Sequence, residues 1–450
     1  MTRLVVHPAS APLTGSVSVP SDKSIGHRAL LFSALCEGTS RISSFSRGED
    51  NLATMACLRA LGVLIDEKGP HDLVVHGVGL HGLTRPTGEL DCGNSGTTMR
   101  LLAGVLAAQP FGSVLTGDAS LSGRPMLRIA KPLRARGGTV EGRPHPKREG
   151  DLTAPLSVGP LAKGRALTGL TYESPVSSAQ VKSAVLLSGL FADGPTYFNE
   201  PTVSRDHTER LLLALGAPLE TTGSVVRLDP SGWSGVMPAQ DIDIPGDLSA
   251  AAFLLVAAQL VPESRVSVRA VGVNPTRTGI LEIARDMGAG LAIEPSGERA
   301  GEPLATLHAW YAPLRGARAG GEVVARAIDE VPIVCALAAR ASGTTTLTDA
   351  EELRVKESDR LAVMAKVLHA FGVACEERPD GLVIEGREGP LEGGAEVESR
   401  GDHRIAMTAA VLALAARAPS VVHDVDCIGT SFPKFVATLR GLGARVDVVS

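Results

Sequence analysis

The sequence predicts an α/β protein made of six copies of one unit, shared three and three between two domains. Three observations lead there. First, one pattern recurs at intervals of about 70 to 85 residues: a helix rich in small residues, a short strand, a second helix, and a glycine that opens another strand. The marker glycines are Gly62, Gly137, Gly216, Gly288, Gly372 and Gly443, and the stretches around them read alike, as in MACLRALGV, RLLLALGAP and KVLHAFGVA. Second, units one to five have room for two strands after the glycine, but only ARVDVV follows Gly443 with strand character. A strand at about residues 4–7 is therefore expected to complete the sixth unit. Third, VSVPSDKS at 17–24 and IDIPGDLS at 242–249 are near copies, which marks them as two crossings of the chain between domains. The expected domains are an inserted one, 21–243, and a discontinuous one, 1–20 plus 244–450, each with threefold pseudo-symmetry.

The units open in order. Unit one starts at VPSDKSIGHRALLFSALCEG and continues through TSRISSF, a helix ending at Leu61, and the strands VLID and DLVVHGV. Unit two opens at DCGNSGTTMRLLAGVLAA and unit three at ESPVSSAQVKSAVLLSGLFADG. Unit four opens at IPGDLSAAAFLLVAAQLV, unit five at IDEVPIVCALAARASG and unit six at RGDHRIAMTAAVLALAA. Each opening sets Ser, Asp, Asn or Gly ahead of an Ala/Leu/Val helix, the signature of an N-cap on a helix buried on most sides.

Composition narrows the class. A length of 450 residues favours two domains over one. With 44% hydrophobic residues but only 3% aromatic, the cores must be built of Ala, Val, Leu and Ile. A net charge of −5 argues against a general nucleic-acid binder. The cysteines are scattered without a CxxC pair, so a reduced compartment and no metal site are expected. The longest apolar run, 250–261, is too short to span a bilayer, and MTRLVVHPAS lacks a signal-peptide apolar region. A cytoplasmic protein is expected, with no nucleic-acid or membrane partner.

Polar residues collect at the helix starts. A helix N-terminus presents unpaired N–H groups and about half a positive charge. The first helices open with Asp22-Lys23-Ser24 and Arg28, with Asn94-Ser95-Gly96-Thr97, with Ser177-Ser178 and Gln180, and with Asp402-His403-Arg404. The second helices add Arg124, Arg205, and Lys356 with Arg360. Local cations on an acidic chain suit small anionic substrates. Each motif alone also fits a plainer reading. PSDKSIGHR fits a capped helix with a solvated lysine, GNSGTT a simple turn, Asp329-Glu330 a helix cap, and RVKESDR a solvated charged face.

Taken together, VPSDKSIGHRALLFSAL, GNSGTTMRLLAG, GDASLSGRPM, SSAQVKSAVLL, TVSRDHTE, NPTRTG, EELRVKESDRL, DHRIAM and TSFPKF resemble the 5-enolpyruvylshikimate-3-phosphate synthase family over nearly the whole chain. That resemblance implies two domains of three βαβαββ units each, the inside-out α/β barrel fold of enolpyruvyl transferases, closing over the substrates. It implies transfer of the enolpyruvyl group of phosphoenolpyruvate to the 5-hydroxyl of shikimate 3-phosphate, without a cofactor or metal, in a monomer. It also implies inhibition by glyphosate, for which Gly96 leaves room.

The resemblance assigns roles residue by residue. Lys23, Ser24, Arg28, Ser178, Gln180, Arg205, Asp329 and Lys356 match ligands of shikimate 3-phosphate. Lys23, Gly96, Arg124, Gln180, Arg360 and Arg404 match ligands of phosphoenolpyruvate. Asp329 matches the base at the 5-hydroxyl, and Glu357, with Lys23 and Lys356 beside the reacting centre, the acid at the methylene carbon. Arg124 is expected just outside a helix whose first residue is Pro125, Ser177 as a cap, and Lys182 at the periphery. Lys356 and Arg360, four apart, are expected on one helical face. Asn94 and Thr97 are expected to line the cleft, Arg100 to hold the loop, Asp402 and His403 to order a turn, and His27, Asp247 and Arg277 to be structural. Glu330 is a helper without a role. Thr430 stands where some members carry a lysine, and Lys434 is not equivalent. Two other readings remain open: the sister transferase acting on UDP-N-acetylglucosamine, and a non-catalytic binding protein on the same fold.

Overall fold

In the computed structural model, which describes residues 2–299 and 301–449, each marker glycine ends a helix in the left-handed backbone region. The φ values are +90° at Gly62, +91° at Gly137, +76° at Gly216, +82° at Gly288, +71° at Gly372 and +109° at Gly443. The hydrogen bonds are the same in all six. The glycine N–H returns to the carbonyl three residues back, and the next N–H returns to the carbonyl five residues back, as in Gly62 to Arg59 and Val63 to Leu58. This cap needs a residue with positive φ, which costs an L side chain roughly 1–2 kcal/mol. The repeat is legible because glycine is the residue that escapes that cost.

The chain divides into two compact units. One, the inserted unit, comprises Ser21–Ile244 with Arg299–Glu302. The other, the discontinuous unit, comprises Met1–Pro20, Pro245–Glu298 and Pro303–Ser450. Positions 1, 300 and 450, which belong to the discontinuous domain expected from sequence, lie outside the described residues. The segment Arg299–Glu302 holds the last residue of the strand Gly290–Arg299 and the first of the strand Glu302–Trp310. It groups with the inserted unit because Glu302 meets His207 and Arg299 meets Asp243 there.

The inserted unit carries α1 (Lys23–Leu35), α2 (Glu49–Ala60), α3 (Gly96–Leu106), α4 (Leu127–Ala135), α5 (Ala179–Gly189) and α6 (His207–Ala214). The discontinuous unit carries α7 (Leu248–Leu260), α8 (Gly279–Asp286), the short α9 (Gly321–Ala325), α10 (Val331–Ala339), α11 (Arg360–Ala370), α12 (His403–Leu414) and α13 (Phe435–Gly441). The first helices of the units, α1, α3, α5, α7, α10 and α12, are buried almost all round, which their Ala/Leu/Val composition permits. In the discontinuous unit α7, α10 and α12 pack on one another. In the inserted unit α3 packs closely on α5: a Cβ at Gly104 would sit 2.5 Å from the Ala184 carbonyl oxygen. No helix among the described residues is long and apolar enough to cross a membrane.

Six four-stranded sheets, three per unit, share one pattern among the described residues. A short edge strand runs parallel to the next, as Leu90–Asp91 does to Ser113–Thr116, and antiparallel strands follow. Arg3–Val6 pairs antiparallel with both Ser420–His423 and Val446–Val449, so it fills the place that the short C-terminal tail leaves open. At the crossings the strands stay in the sheet they leave. Thr14–Val17 pairs with Arg265–Gly272 before the chain enters α1, and Ile242–Asp243 pairs with Glu37–Ser43 before it enters α7. The first helix of unit one is thus separated from the edge strand that precedes it in sequence.

Candidate active site

Three first-helix starts in the inserted unit gather polar side chains. Asp22 caps α1, its carboxylate accepting from the Ile25 N–H at 2.9 Å, and Ser95 caps α3 through the Thr98 N–H. Ser178 holds the cap position of α5 but makes no cap bond with its side chain. Ser177, expected as the cap, instead accepts from the Thr202 N–H at 2.9 Å, because the chain before α5 turns toward the 200–206 loop.

On α1, Lys23 Nζ lies 2.7 Å from Asp50 Oδ2. The Asp50 carbonyl in turn faces the Thr98 hydroxyl at 3.4 Å, which ties the starts of α1, α2 and α3 together. Arg28 lies one turn beyond Ser24. Its Nη1 donates to the Ser24 carbonyl at 2.9 Å, Nε to Thr208 Oγ1 at 2.7 Å and Nη2 to Ser183 Oγ at 2.7 Å. Burial pulls the Arg28 pKa down to about 10, Glu209 and Asp22 oppose that pull, and Arg205 adds to it. A guanidinium so desolvated gains strongly from an anion brought alongside.

The α3 start forms a second group. Arg124 Nη2 donates to Asn94 Oδ1 at 2.6 Å, and Asn94 Nδ2 donates to Asp118 Oδ2 at 2.7 Å. Arg100 Nη1 donates to Gln180 Oε1 at 2.6 Å, and Gln180 Nε2 to Thr97 Oγ1 at 3.0 Å. Gly96 lies between the two arginines: a Cβ there would sit 2.6 Å from Arg100 Nη1 and 3.2 Å from Arg124 Nη1. The helix after Arg124 begins at Leu127, not Pro125, because Leu121–Gly123 first makes a 3-10 turn.

The discontinuous unit gathers a second cluster around Asp329 and Arg360. Asp329 Oδ1 lies 3.3 Å from Arg360 Nη1 and 3.7 Å from Lys356 Nζ, and Oδ2 lies 3.9 Å from Arg404 Nη2. Arg404 Nη1 also donates to the Asp329 carbonyl at 2.8 Å. Arg360, 1% exposed, reaches Glu357 Oε2 at 2.6 Å and Asp402 Oδ2 at 2.8 Å. Burial works against its charge, but Asp402, Glu357 and Asp329 outweigh burial and hold its pKa above the usual value. Burial likewise pushes the Asp402 carboxyl up, and Arg360 overrides it, so Asp402 sits below the ordinary carboxylate range. Asp402 also caps α12 through the Arg404 N–H at 3.0 Å.

The expected shared helical face of Lys356 and Arg360 is absent. Lys356 ends the 3-10 turn Glu351–Val355, while Arg360 is the first residue of α11, capped by Asp359. The two converge through their common partner Asp329. Glu330 has a place: buried, it accepts from the Ser249 hydroxyl and lies 3.6 Å from Arg404 Nη1 and 3.7 Å from Arg277 Nη2. It thus helps to hold Arg404. Asp247 caps α7 through the Ser249 N–H and pairs with Arg277 at 3.2 Å, both inside the fold. The Thr430 hydroxyl donates to the Cys427 carbonyl at 2.7 Å, and Lys434 is exposed at the start of α13.

Sequence reasoning missed Asp50 and Asp118, whose only signals were an acidic first turn in GED and an Asp in GDAS. Lys182, expected at the periphery of the site, is 1% exposed between Glu200 and Glu209 at 2.7 Å each. Asp206, His207 and Glu302 have the chemistry of metal ligands and lie close together. Each has a protein partner: His207 Nδ1 meets Glu302 Oε1 at 2.7 Å, and Asp206 Oδ2 accepts from Arg210 Nε at 2.9 Å.

His27 is buried beneath the α1 start, with Nδ1 2.6 Å from Thr54 Oγ1. Burial lowers its pKa to about 3, against the pull of Asp50 and with help from Lys23 and Arg28. An unfolded histidine takes up a proton near pH 6.5, so between that pH and about 3 the unfolded chain binds the extra proton. Its contribution to stability is complete above pH 6.5 and falls as pH drops, by about 1.4 kcal/mol per pH unit. His27→Gln should flatten the decline between pH 6 and pH 4, measured by denaturant titration at each pH. An unchanged slope would assign the acid sensitivity to other groups.

The chain has counterparts among known proteins. The family model of EPSP synthase (3-phosphoshikimate 1-carboxyvinyltransferase) matches residues 8–439. The 3-phosphoshikimate 1-carboxyvinyltransferase of Geobacter sulfurreducens is 49% identical over 446 residues, covering 99% of this chain and 100% of that protein. That of Methylococcus capsulatus is 48% identical over 436 residues, covering 97% and 96%. A solved EPSP synthase of Acinetobacter baumannii superposes with a TM-score of 0.87 at 42% identity, covering 100% of both chains. With its full-length match and its fold shared, the chain belongs to the EPSP synthase family.

Proposed function

We infer that this chain transfers the enolpyruvyl group of phosphoenolpyruvate to the 5-hydroxyl of shikimate 3-phosphate, releasing phosphate, on the shikimate route to aromatic amino acids. The observation that carries the reading is the match to that family across residues 8–439. The clusters of cations at helix starts fit two anionic substrates. UDP-N-acetylglucosamine is the weaker acceptor candidate, because the GDASLSGRP segment has no cysteine and the relatives are named for the shikimate substrate.

In this reading Ser24, Arg28, Ser178 and Arg205, with Lys23 and Gln180, take shikimate 3-phosphate on the inserted unit. Gly96, Arg124, Lys23 and Gln180 take phosphoenolpyruvate there, as Arg360 and Arg404 do on the discontinuous unit. Asp329, held by Arg360, Arg404 and Lys356, accepts the proton of the 5-hydroxyl as its oxygen bonds to the enol carbon. Glu357 delivers a proton to the methylene carbon, giving a tetrahedral ketal. Return of a methyl proton to the Glu357 carboxylate, as phosphate departs with the C–O bonding pair, restores the double bond. Glu357 starts in an ion pair with Arg360. An anion arriving at Arg360 competes for that guanidinium and raises the proton affinity of Glu357, which takes up a proton from solvent before it acts as an acid.

Phosphate release with each acceptor tests the reading. It is expected with shikimate 3-phosphate and not with UDP-N-acetylglucosamine; the reverse pattern would assign the chain to the sister activity. A further expectation concerns Gly96. The methyl of Gly96→Ala would press on the ends of Arg100 and Arg124. The KM for phosphoenolpyruvate and the inhibition constant of glyphosate should both rise, by about tenfold if each loses about 1.4 kcal/mol. Inhibition constants equal in the two proteins would remove the steric explanation.

A further inference from the structure

Lys182 is a buried cation outside the cluster just described. It sits on α5 between Val181 and Ser183, 1% exposed, with its ammonium 2.7 Å from both Glu200 Oε1 and Glu209 Oε1. Burial opposes its charge, but the two carboxylates outweigh burial and keep its pKa above the ordinary value. A buried triad of this kind is weak support for stability, since desolvation offsets much of the attraction. What it does hold is a loop. Lys182 Nζ donates to the Ser204 carbonyl at 3.1 Å, while Glu200 Oε1 accepts from both the Ser204 N–H at 2.8 Å and its hydroxyl at 3.0 Å. Every polar group of Ser204 is thus fixed by the triad, and the next residue is Arg205. The third member, Glu209, lies on α6 one residue after Thr208, which receives Arg28 Nε. Burial pushes the Glu209 carboxyl up while Lys182 pulls it down, and Glu209 is the foremost carboxylate acting on Arg28.

We propose that Lys182, Glu200 and Glu209 form a positioning device that sets Arg205 and Arg28 for the phosphate of the acceptor, and so determines selectivity for the phosphorylated over the unphosphorylated substrate. This rests on the assignment of Arg205 to that phosphate. The triad touches no substrate itself. It acts by holding the backbone beside Arg205 to α5, whose first turn carries Ser178 and Gln180.

The test compares Lys182→Met, the isoelectric pair Lys182→Met/Glu200→Gln, and Arg205→Ala in steady-state kinetics. The double variant removes one cation and one anion, and serves if the single variant leaves two unpaired buried carboxylates and does not fold. In the Lys182 variants the KM for shikimate 3-phosphate is expected to rise tenfold or more, with kcat and the KM for phosphoenolpyruvate within twofold. Binding of unphosphorylated shikimate should change little. Added to Arg205→Ala, the double change should raise KM no further, because the two act on one interaction. A merely structural role would instead lower the fraction of active protein and leave KM alone. If Arg205→Ala raises KM and the triad variants do not, the positioning role is wrong. If Arg205→Ala itself leaves KM unchanged, the phosphate assignment beneath it is wrong.

Discussion

Glu357→Gln should lower kcat by about 10²- to 10⁴-fold, the range typical of losing a general acid, while shikimate 3-phosphate still binds. The substitution is nearly isosteric. Gln can keep an oxygen toward Arg360 Nη2, which Glu357 meets at 2.6 Å, so the loop between Lys356 and Asp359 should hold its course. What disappears is the proton for the methylene carbon. Rapid-quench turnover with calorimetric binding separates the two effects. A non-catalytic protein on this fold would show no change in any measured property. A kcat within twofold of the native value would remove Glu357 from the chemistry.

Arg360→Lys should be the most damaging conservative change in the discontinuous unit. Arg360 addresses three carboxylates with three separate nitrogens: Nε to Asp402, Nη1 to Asp329 and Nη2 to Glu357. A lysine ammonium is one point charge on a differently shaped stem and cannot span that fork. At least one carboxylate loses its partner in a buried setting, where breaking a pair costs about 3–5 kcal/mol. Asp402 is fully buried and also caps α12, so the loss spreads to Arg404 through its backbone. The expected result is a drop in thermal midpoint together with a rise of at least about 100-fold in the KM for phosphoenolpyruvate. An Arg360→Lys protein with native stability and native KM would show that the fork is dispensable.

Much of the scaffold could be read from the chain because single residue types carry single conformational demands. Glycine marks the left-handed cap after each second helix, and Asp22, Ser95, Asp247 and Asp402 cap the helices they precede. The missing sixth-unit strand was legible as a length deficit. Contacts between distant positions were not legible. Asp50 reaches Lys23 across 27 residues, and Asp402 reaches Arg360 across 42, with no spacing rule to announce either. The burial of Lys182 was likewise not legible, because lysines are rarely buried unless paired, and its partners lie 18 and 27 positions away at Glu200 and Glu209. The Lys356–Arg360 geometry misled for another reason. Residues 356–359 form an irregular bend between the 3-10 turn and α11, where a four-residue separation does not mean a shared face.

We propose that the polar starts of the first and second helices form the substrate site. The position of the phosphate in a crystal structure with shikimate 3-phosphate tests it most directly. The phosphate oxygens are expected within hydrogen-bond distance of Ser24, Ser178 and Arg205, at the starts of α1 and α5 and beside α6. A phosphate bound elsewhere on the inserted unit, with those three residues untouched, would contradict it.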